Sequence, residues 1–138
     1  DKNVVGLCAD MNKSTFMHLF AQKYPERFVQ VGIAEQNLVT VASGMAAMGK
    51  IPFVTSLAMF TPGRDWEQIR TTIALNNRPV KIMGSYSGFS TGPDGGTHQA
   101  LEDIALMRVL PNMVLLSPCD AIEANKAAIA VAKINQPV

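Results

Sequence analysis

A single carboxylate lies on the side of a predicted helix that should be buried. The stretch 32–49 has helical periodicity, and Glu35 shares a face with apolar and small residues: Leu38, Val39, Ala42, Met45, Ala46 and Gly49. A buried carboxylate needs a hydrogen-bond donor, or it takes up a proton and becomes a donor itself. Glu35 is therefore a candidate to hold a ring nitrogen of a ligand. The alternative is that a negative side chain in the first turn only complements the helix dipole.

A second candidate lies at the end of a glycine-rich loop. The loop runs from Tyr86 to His98 and contains four glycines. Loops of this length usually have a function, and this one follows a predicted strand, where open α/β sheets bind ligands. Neither G-x-G-x-x-G nor a Walker lysine is present, so nucleotide binding has little support. His98 is expected to open the next helix and could exchange a proton with a substrate oxygen, or it could be an ordinary surface histidine.

Three further side chains follow predicted strands or lie in loops. Phe60 comes after the third strand and could be a core residue or a platform for a flat heterocycle. Asp10 ends the first strand and Asp94 lies in the glycine-rich loop, where each could be only a turn residue. The two histidines, His18 and His98, have no clustered ligand spacing, so the sequence predicts no protein-built metal site.

Short apolar runs alternate with helical patterns along the chain. Strands are predicted at 4–9, 28–31, 51–55, 80–84 and 113–116, and the main helices at 15–23, 32–49, 62–76 and 120–134. Ser14 is the expected cap of the first of these helices, and Thr61-Pro62 the expected start of the third. This alternation predicts an α/β fold, with a mostly parallel sheet of about 5–6 strands and helices on both faces. The 138 residues suffice for one domain, spanning 1–138.

Composition excludes several classes of function. Apolar residues make up 48% of the chain and charged residues 17%, as in a globular domain. A net charge of +1 without a basic run predicts no nucleic-acid or anionic-membrane partner, and no spanning helix or signal peptide is visible. Cys8 and Cys119 lack C-x-x-C spacing, which favours a reducing, cytoplasmic setting. Because the chain starts without Met and ends where a strand begins, we expect an excised fragment or a split subunit.

Four motifs together resemble one known family. G-I-A-E-Q-N, the Phe60 region, G-P-D-G-G-T-H-Q and L-P-N-M-x-x-x-x-P-C-D resemble, in order from Asp10 to Asp120, the pyrimidine-binding domain of transketolase. The resemblance implies half of a thiamine diphosphate site and the transfer of a two-carbon ketol unit between sugar phosphates. It also implies that Mg²⁺ and the diphosphate are held by a diphosphate-binding domain or subunit not in this chain, within a homodimer or higher assembly. No G-D-G segment with a downstream asparagine is present.

The resemblance also assigns residues to roles around the cofactor. Glu35 matches the glutamate that protonates the pyrimidine ring, and Phe60 matches the aromatic residue that stacks on it. Asp10 matches an acid near the cofactor. Leu57 and Gly63 fall where many transketolases carry further aromatic residues. We therefore expect Leu57 to line a cofactor pocket that is looser or differently shaped.

The implied substrate contacts lie on the other side of the site. His98 matches a histidine near the cofactor's amino group and the substrate hydroxyl, and Asp94 matches an aspartate that binds a sugar hydroxyl. Ser14 matches a serine at the sugar phosphate. Tyr86 stands where many transketolases have a histidine, so the resemblance is weaker at the phosphate end than at the cofactor.

Other interpretations remain open on the sequence alone. A deoxyxylulose-phosphate synthase or the beta subunit of a 2-oxo-acid dehydrogenase would share the glutamate and its helix, although T-H-Q-A-L-E-D followed by L-P-N-M is closer to transketolase. A non-catalytic interaction module of the same fold is a further alternative. The small residues of the Glu35 helix could admit a partner's helix or could pack within the domain.

Overall fold

The protein is built around a four-stranded parallel sheet. The computed structural model describes all 138 residues. The strands are β1 (Val4–Cys8), β2 (Phe28–Gln30), β3 (Ile51–Leu57) and β4 (Lys81–Ser85), in the order β2-β1-β3-β4. Leu7 pairs with Val29 on one side and with Val54 on the other. Since all pairs are parallel, the carboxyl ends of the strands meet at one edge, where open α/β sheets bind ligands.

Five α-helical segments connect and follow these strands. They are α1 (Met17–Lys23), α2 (Glu35–Ala47), α3 (Trp66–Gln68), α4 (Asp103–Arg108) and α5 (Ala121–Val131). A π-helical segment, Ile69–Ala74, continues α3, and two 3-10 helices span Pro25–Arg27 and Gly92–Thr97. None of the helices combines the length and the hydropathy that crossing a membrane requires.

Helices cover both faces of the sheet, which confirms the predicted fold class. On one face α2 and the π-helical segment enclose the main core, which includes Leu7, Leu38, Val54 and Ile73. On the other face α1 lies so close to β1 that a Cβ added to Gly6 would be 2.9 Å from Cδ1 of Phe20. A side chain at position 6 would therefore have to displace the Phe20 ring or α1 itself.

The small residues of α2 pack mostly within the domain. Ala42, Ser43 and Ala46 are buried, and the Ser43 hydroxyl donates to the Thr72 carbonyl at 2.7 Å. Gly44 and Ala47 lie on the exposed side of the same helix. The small residues thus allow α2 to approach the segment that follows α3, as close packing within one domain requires.

The predicted count of 5–6 strands is wrong because residues 113–116 do not join the sheet. The position beside β4 is taken by Val138, whose N–H donates to the Val80 carbonyl at 3.1 Å and whose carbonyl accepts the Ile82 N–H at 2.7 Å. The segment 113–116 lies one step further out, and its Val114 N–H donates to the Pro137 carbonyl at 3.0 Å. One such bond does not make a strand, so the segment is extended but irregular.

Four predicted helix starts are displaced. The helix predicted from residue 32 begins at Glu35. The first helix begins at Met17 without a side-chain cap, so Ser14 does not cap it. The Thr61-Pro62 peptide bond is cis, and α3 begins only at Trp66. His98 ends the 3-10 helix of the glycine-rich loop and does not open α4. Each shift replaces expected helix by a tight turn at the ligand-binding edge of the sheet.

A cavity of about 570 Å³ separates α5 from β3 and β4. Lys81 lines it and is itself buried, with its ammonium group donating to the carbonyls of Ile134 and Gln136 at 2.6 and 2.8 Å. Burial lowers the pKa of Lys81 to about 8. These two bonds tie the segment after α5 to the edge of the sheet.

Candidate functional site

Glu35 is buried in the first turn of α2, as its helical spacing predicts. Only 2% of the residue is exposed, and Arg64 Nη1 donates to its Oε2 at 2.7 Å. The donor that a buried carboxylate needs therefore comes from a guanidinium on another segment. The ion pair joins the start of α2 to the turn that precedes α3.

That turn is held by backbone bonds at the end of β3. The Leu57 carbonyl accepts the N–H groups of Phe60 and Thr61 at 2.9 and 2.8 Å, and the Phe60 carbonyl accepts the Arg64 N–H at 2.8 Å. A Cβ on Gly63 would lie 1.8 Å from the Met59 carbonyl oxygen, so no side chain fits there. The resemblance implies an aromatic residue where this chain has Gly63. The reason for the difference is steric, because the compact turn that carries Phe60 and Arg64 leaves no room for an aromatic side chain at position 63.

The turn stacks a cation on an aromatic ring. Arg64 Cζ lies 4.4 Å from the centre of the Phe60 ring, within cation–π range. His98 meets the Phe60 ring edge-on, with ring centres 5.3 Å apart, and its Nδ1 lies 2.8 Å from the Thr97 hydroxyl. Glu35, Arg64, Phe60 and His98 therefore form one continuous chain of contacts. Of the residues assigned by resemblance, the structure joins Glu35, Phe60 and His98 in this chain.

A cavity of about 350 Å³ adjoins Phe60 and Arg64. Its wall combines small and apolar residues with two acids of the opposite segment, Glu102 and Asp103. A volume of this size falls within the range of small-molecule sites. Phe60 and Arg64 line this cavity, whereas Glu35 and His98 contact them from outside its lining.

A second buried carboxylate lies directly behind the turn. Asp65 is 0% exposed, and its Oδ2 accepts the Thr61 hydroxyl at 2.8 Å. Its Oδ1 is buried without a hydrogen-bond partner. Burial, to which the charge of Glu35 adds, raises the pKa of Asp65 to about 7. The site thus contains two buried carboxylates beside one guanidinium.

Asp10 lies at the same edge of the sheet and is exposed. Its N–H donates to Oε1 of Gln30 at 2.7 Å, and the same oxygen accepts the Gly32 N–H at 3.1 Å. Gln30 also donates to the Asn12 side chain at 3.0 Å. Gln30 therefore ties the loop after β1 to the turn that leads into α2 and Glu35.

Ser14 and Tyr86 meet on another side of the site. The Tyr86 hydroxyl donates to the Ser14 carbonyl at 3.0 Å, which joins the loop before α1 to the loop after β4. Asp94 is exposed in the 3-10 helix Gly92–Thr97. Leu57 is only 5% exposed, and its carbonyl shapes the Phe60 turn. None of these residues belongs to the contact chain of Glu35.

Sequence reasoning missed Arg64, Asp65 and Gln30. Arg64 and Phe60 are four residues apart, a spacing at which a cation and a ring can stack within one turn. That spacing was the available signal for Arg64. No local pattern distinguishes Gln30, because its partners are backbone groups on two separate loops. The protein contains no cluster of three or more His, Cys, Asp or Glu side chains that could hold a metal ion.

The whole chain, residues 1–138, matches the family model described as the pyrimidine binding domain of transketolase. A solved structure titled split gene transketolase, inactive beta4 tetramer, superposes with a TM-score of 0.87 and 45% identity. That match covers 100% of this chain and 44% of the other. A transketolase from Campylobacter jejuni superposes with a TM-score of 0.88 over 99% of this chain and 22% of its own, at 24% identity, which speaks for the fold alone.

Two proteins of similar sequence from other organisms are also named as parts of transketolases. A Methanocaldococcus jannaschii protein, provisionally named a transketolase C-terminal section, is 43% identical over 99% of this chain and 43% of its own length. One of the subunits of apulose-4-phosphate transketolase from Phocaeicola vulgatus is 37% identical over 100% of this chain and 44% of its own. The chain therefore spans less than half the length of these relatives.

Proposed function

The chain belongs to the family of transketolase pyrimidine-binding domains, and on that premise we propose that it supplies the pyrimidine half of a thiamine diphosphate site. The complete enzyme transfers a two-carbon ketol unit between sugar phosphates. Residues 1–138 form the single pyrimidine-binding domain of that enzyme.

The proposal rests on the kind of group that the buried Glu35 carboxylate binds. Glu35 binds a planar, N–H-donating cation, the Arg64 guanidinium, and that same group lies over the Phe60 ring. An aminopyrimidine is also flat, has ring nitrogens that can take up a proton, and stacks on aromatic faces. The chemistry of this donor set therefore fits the ring of the cofactor.

Thiamine diphosphate, when bound, supplies the carbanion chemistry of the reaction. Glu35 holds a proton at the pyrimidine ring nitrogen, a role that a carboxyl group kept out of water can perform. Phe60 supports the face of the ring, while Asp10 and Leu57 complete the cofactor-binding side. His98 exchanges a proton with a substrate hydroxyl.

The substrate side extends from His98 to the two neighbouring loops. Asp94 binds a sugar hydroxyl and Ser14 lies at the sugar phosphate. The Tyr86 hydroxyl holds the Ser14 backbone, so the loop at the phosphate end is fixed by a tyrosine. The contacts to the sugar phosphate therefore differ from those in sites that have a histidine in place of Tyr86.

The protein groups that bind Mg²⁺ and the diphosphate belong to a diphosphate-binding domain or subunit. The complete site forms in a homodimer or higher assembly. The need for a second component is supported by the Phocaeicola vulgatus relative, which is named as one subunit of its transketolase, and by the solved tetramer titled inactive. Both cysteines, Cys8 and Cys119, are free thiols, which fits a reducing, cytoplasmic compartment.

The test is Glu35→Gln in the enzyme assembled with its diphosphate-binding component. The amide keeps the size of the side chain but cannot give a proton to the ring. We expect hydrogen–deuterium exchange at the acidic thiazolium carbon of the bound cofactor to slow by at least ~100-fold, the low end for a positioned proton-transfer group. This exchange isolates the proton-removal step from substrate binding.

Glu67→Gln is the matched control. Glu67 is an acid in the first turn of α3, so like Glu35 it can interact with a helix dipole. Unlike Glu35, it is exposed. A dipole partner contributes about 0.3–1 kcal/mol to stability and nothing to proton transfer. Equal exchange rates in wild type and Glu35→Gln would remove Glu35 from the mechanism.

A further inference from the structure

Arg64 occupies the place that the proposed function gives to a ligand. Its guanidinium lies 4.4 Å from the centre of the Phe60 ring and donates to Glu35 at 2.7 Å. A flat ring that stacks on Phe60 and bonds to Glu35 needs the same aromatic face and the same carboxylate. If the ring stacks on the Phe60 face that Arg64 covers and bonds to Oε2 of Glu35, the two planar groups exclude each other.

We propose that Arg64 is a displaceable placeholder, which competes with an aminopyrimidine for the Phe60 ring and the Glu35 carboxylate and leaves them when the aminopyrimidine binds. This inference rests on the proposed function and adds a conformational step to it. The guanidinium resembles the ligand in the three properties that the position selects, namely planarity, N–H donors and attraction to an aromatic face.

Exposure determines which partner of the ion pair moves. The Glu35 side chain is 3% exposed and fixed in the first turn of α2, whereas the Arg64 side chain is 46% exposed. Arg64 can therefore turn toward water without unfolding its surroundings, and Glu35 cannot. A buried carboxylate without a partner is costly, so the placeholder also protects Glu35 while the ring is absent.

The cavity beside Phe60 gives the guanidinium a second position. Glu102 and Asp103 line this cavity together with Arg64. A guanidinium released from Glu35 can thus remain close to negative charge. Arg64 then has two electrostatically favourable positions, one on Glu35 and one facing the acids that precede and begin α4.

The first experiment measures how strongly the placeholder competes. The probe is 4-amino-2-methylpyrimidine, titrated by calorimetry or NMR into the wild-type chain and the variants Arg64→Met and Glu35→Gln. Arg70→Met is the matched control, since Arg70 is an exposed arginine in the π-helical segment after α3. Removing a partly exposed ion pair and one cation–π contact should tighten probe binding about 3- to 30-fold in Arg64→Met and leave Arg70→Met unchanged.

The second experiment needs no substitution. In ¹⁵N-labelled wild type, the side-chain N–H signals of Arg64 should exchange slowly with water while they bond to Glu35. The probe should shift these signals and speed their exchange as Arg64 leaves. This measurement keeps the inference testable even if Arg64→Met lowers the stability of the protein.

The outcomes separate the placeholder from the proposed function. Equal or weaker probe binding in Arg64→Met, or Arg64 signals that stay protected at saturation, overturns the placeholder. In that case the proposed function still stands if Glu35→Gln weakens the probe. If the probe binds but Glu35→Gln leaves its affinity unchanged, Glu35 is not a ring-binding group and both inferences fail. If the probe binds neither wild type nor Arg64→Met, the placeholder is overturned, and the exchange measurement on the assembled enzyme decides the proposed function.

Discussion

Asp65→Asn should remove a pH dependence that burial builds into the folded protein. Burial raises the pKa of Asp65 from 3.8 to about 7, so the folded state holds this proton more tightly than the unfolded state. The sign follows from linkage: the contribution of Asp65 to the free energy of unfolding decreases as pH rises from about 4 to about 7 and is level outside that window. The variant cannot titrate at this position and should lose that slope.

The magnitude follows from the size of the shift. A shift of about three units at about 1.4 kcal/mol per unit gives an upper limit of ~4 kcal/mol between low and neutral pH. The nearby Arg64 guanidinium opposes the shift because it favours the ionised form. An amide at this position also has buried N–H donors without a partner, so the variant can be less stable than wild type at every pH. The difference in slope is therefore the informative quantity.

The assay is denaturant unfolding at several values between about pH 4 and about pH 8, for wild type, Asp65→Asn and the control Asp94→Asn. Asp94 is exposed, so its variant should keep the wild-type slope. If the stability of wild type and of Asp65→Asn changes with pH in the same way, Asp65 does not titrate within this window and the reasoning from its burial is wrong.

Two further substitutions test packing around the site. Phe60→Ala in the assembled enzyme should weaken thiamine diphosphate binding by about 1–3 kcal/mol through lost burial and stacking; unchanged affinity with a lower melting temperature would make Phe60 an ordinary core residue. Gly6→Ala should lower the free energy of unfolding by about 1–3 kcal/mol, because its Cβ would press on the Phe20 ring. Adding Phe20→Leu should recover part of that loss in the same unfolding assay, and no recovery would locate the strain elsewhere.

The burial of Glu35 could be predicted because α2 is a regular helix on a sheet. Its 3.6-residue period places Glu35 on a face with six other residues. Glu35 and four of these are buried, namely Leu38, Val39, Ala42 and Ala46, whereas Met45 is half-buried and Gly49, beyond the end of the helix, is exposed. The parallel sheet was predictable for the same reason, since apolar runs alternate with helices. Regular elements have a sequence period that local reasoning can detect.

The surroundings of Glu35 could not be predicted in this way. The pattern Thr61-Pro62 favoured a helix start, which would have placed Arg64 and Asp65 in a first helical turn. The chain instead makes a compact turn with a cis bond before α3, and this turn directs Arg64 toward Phe60 and Glu35. The partner of a buried carboxylate depends on contacts across 29 residues of sequence, which no local window contains.

The same limit explains the error at residues 113–116. Their apolar character is compatible with a buried strand. It does not show whether these residues or another segment of the chain pair with the edge of β4. Val138 takes that edge through two backbone bonds, and the segment 113–116 can reach only the outer side of the chain's last residues. Strand identity at a sheet edge is decided by competition in three dimensions.

The charges of the site connect the proposed function with the placeholder. Glu35 and Asp65 are two buried carboxylates, and Arg64 is the one cation bonded to either of them. With its pKa near neutrality, Asp65 can carry a proton, which leaves the guanidinium to Glu35. When a neutral aminopyrimidine displaces Arg64, Glu35 loses its cationic partner in a place that water hardly reaches. A proton taken up from solvent and shared between Glu35 and the ring nitrogen would then offset the cost of the buried charge, so displacement of Arg64 would itself favour protonation of the ring.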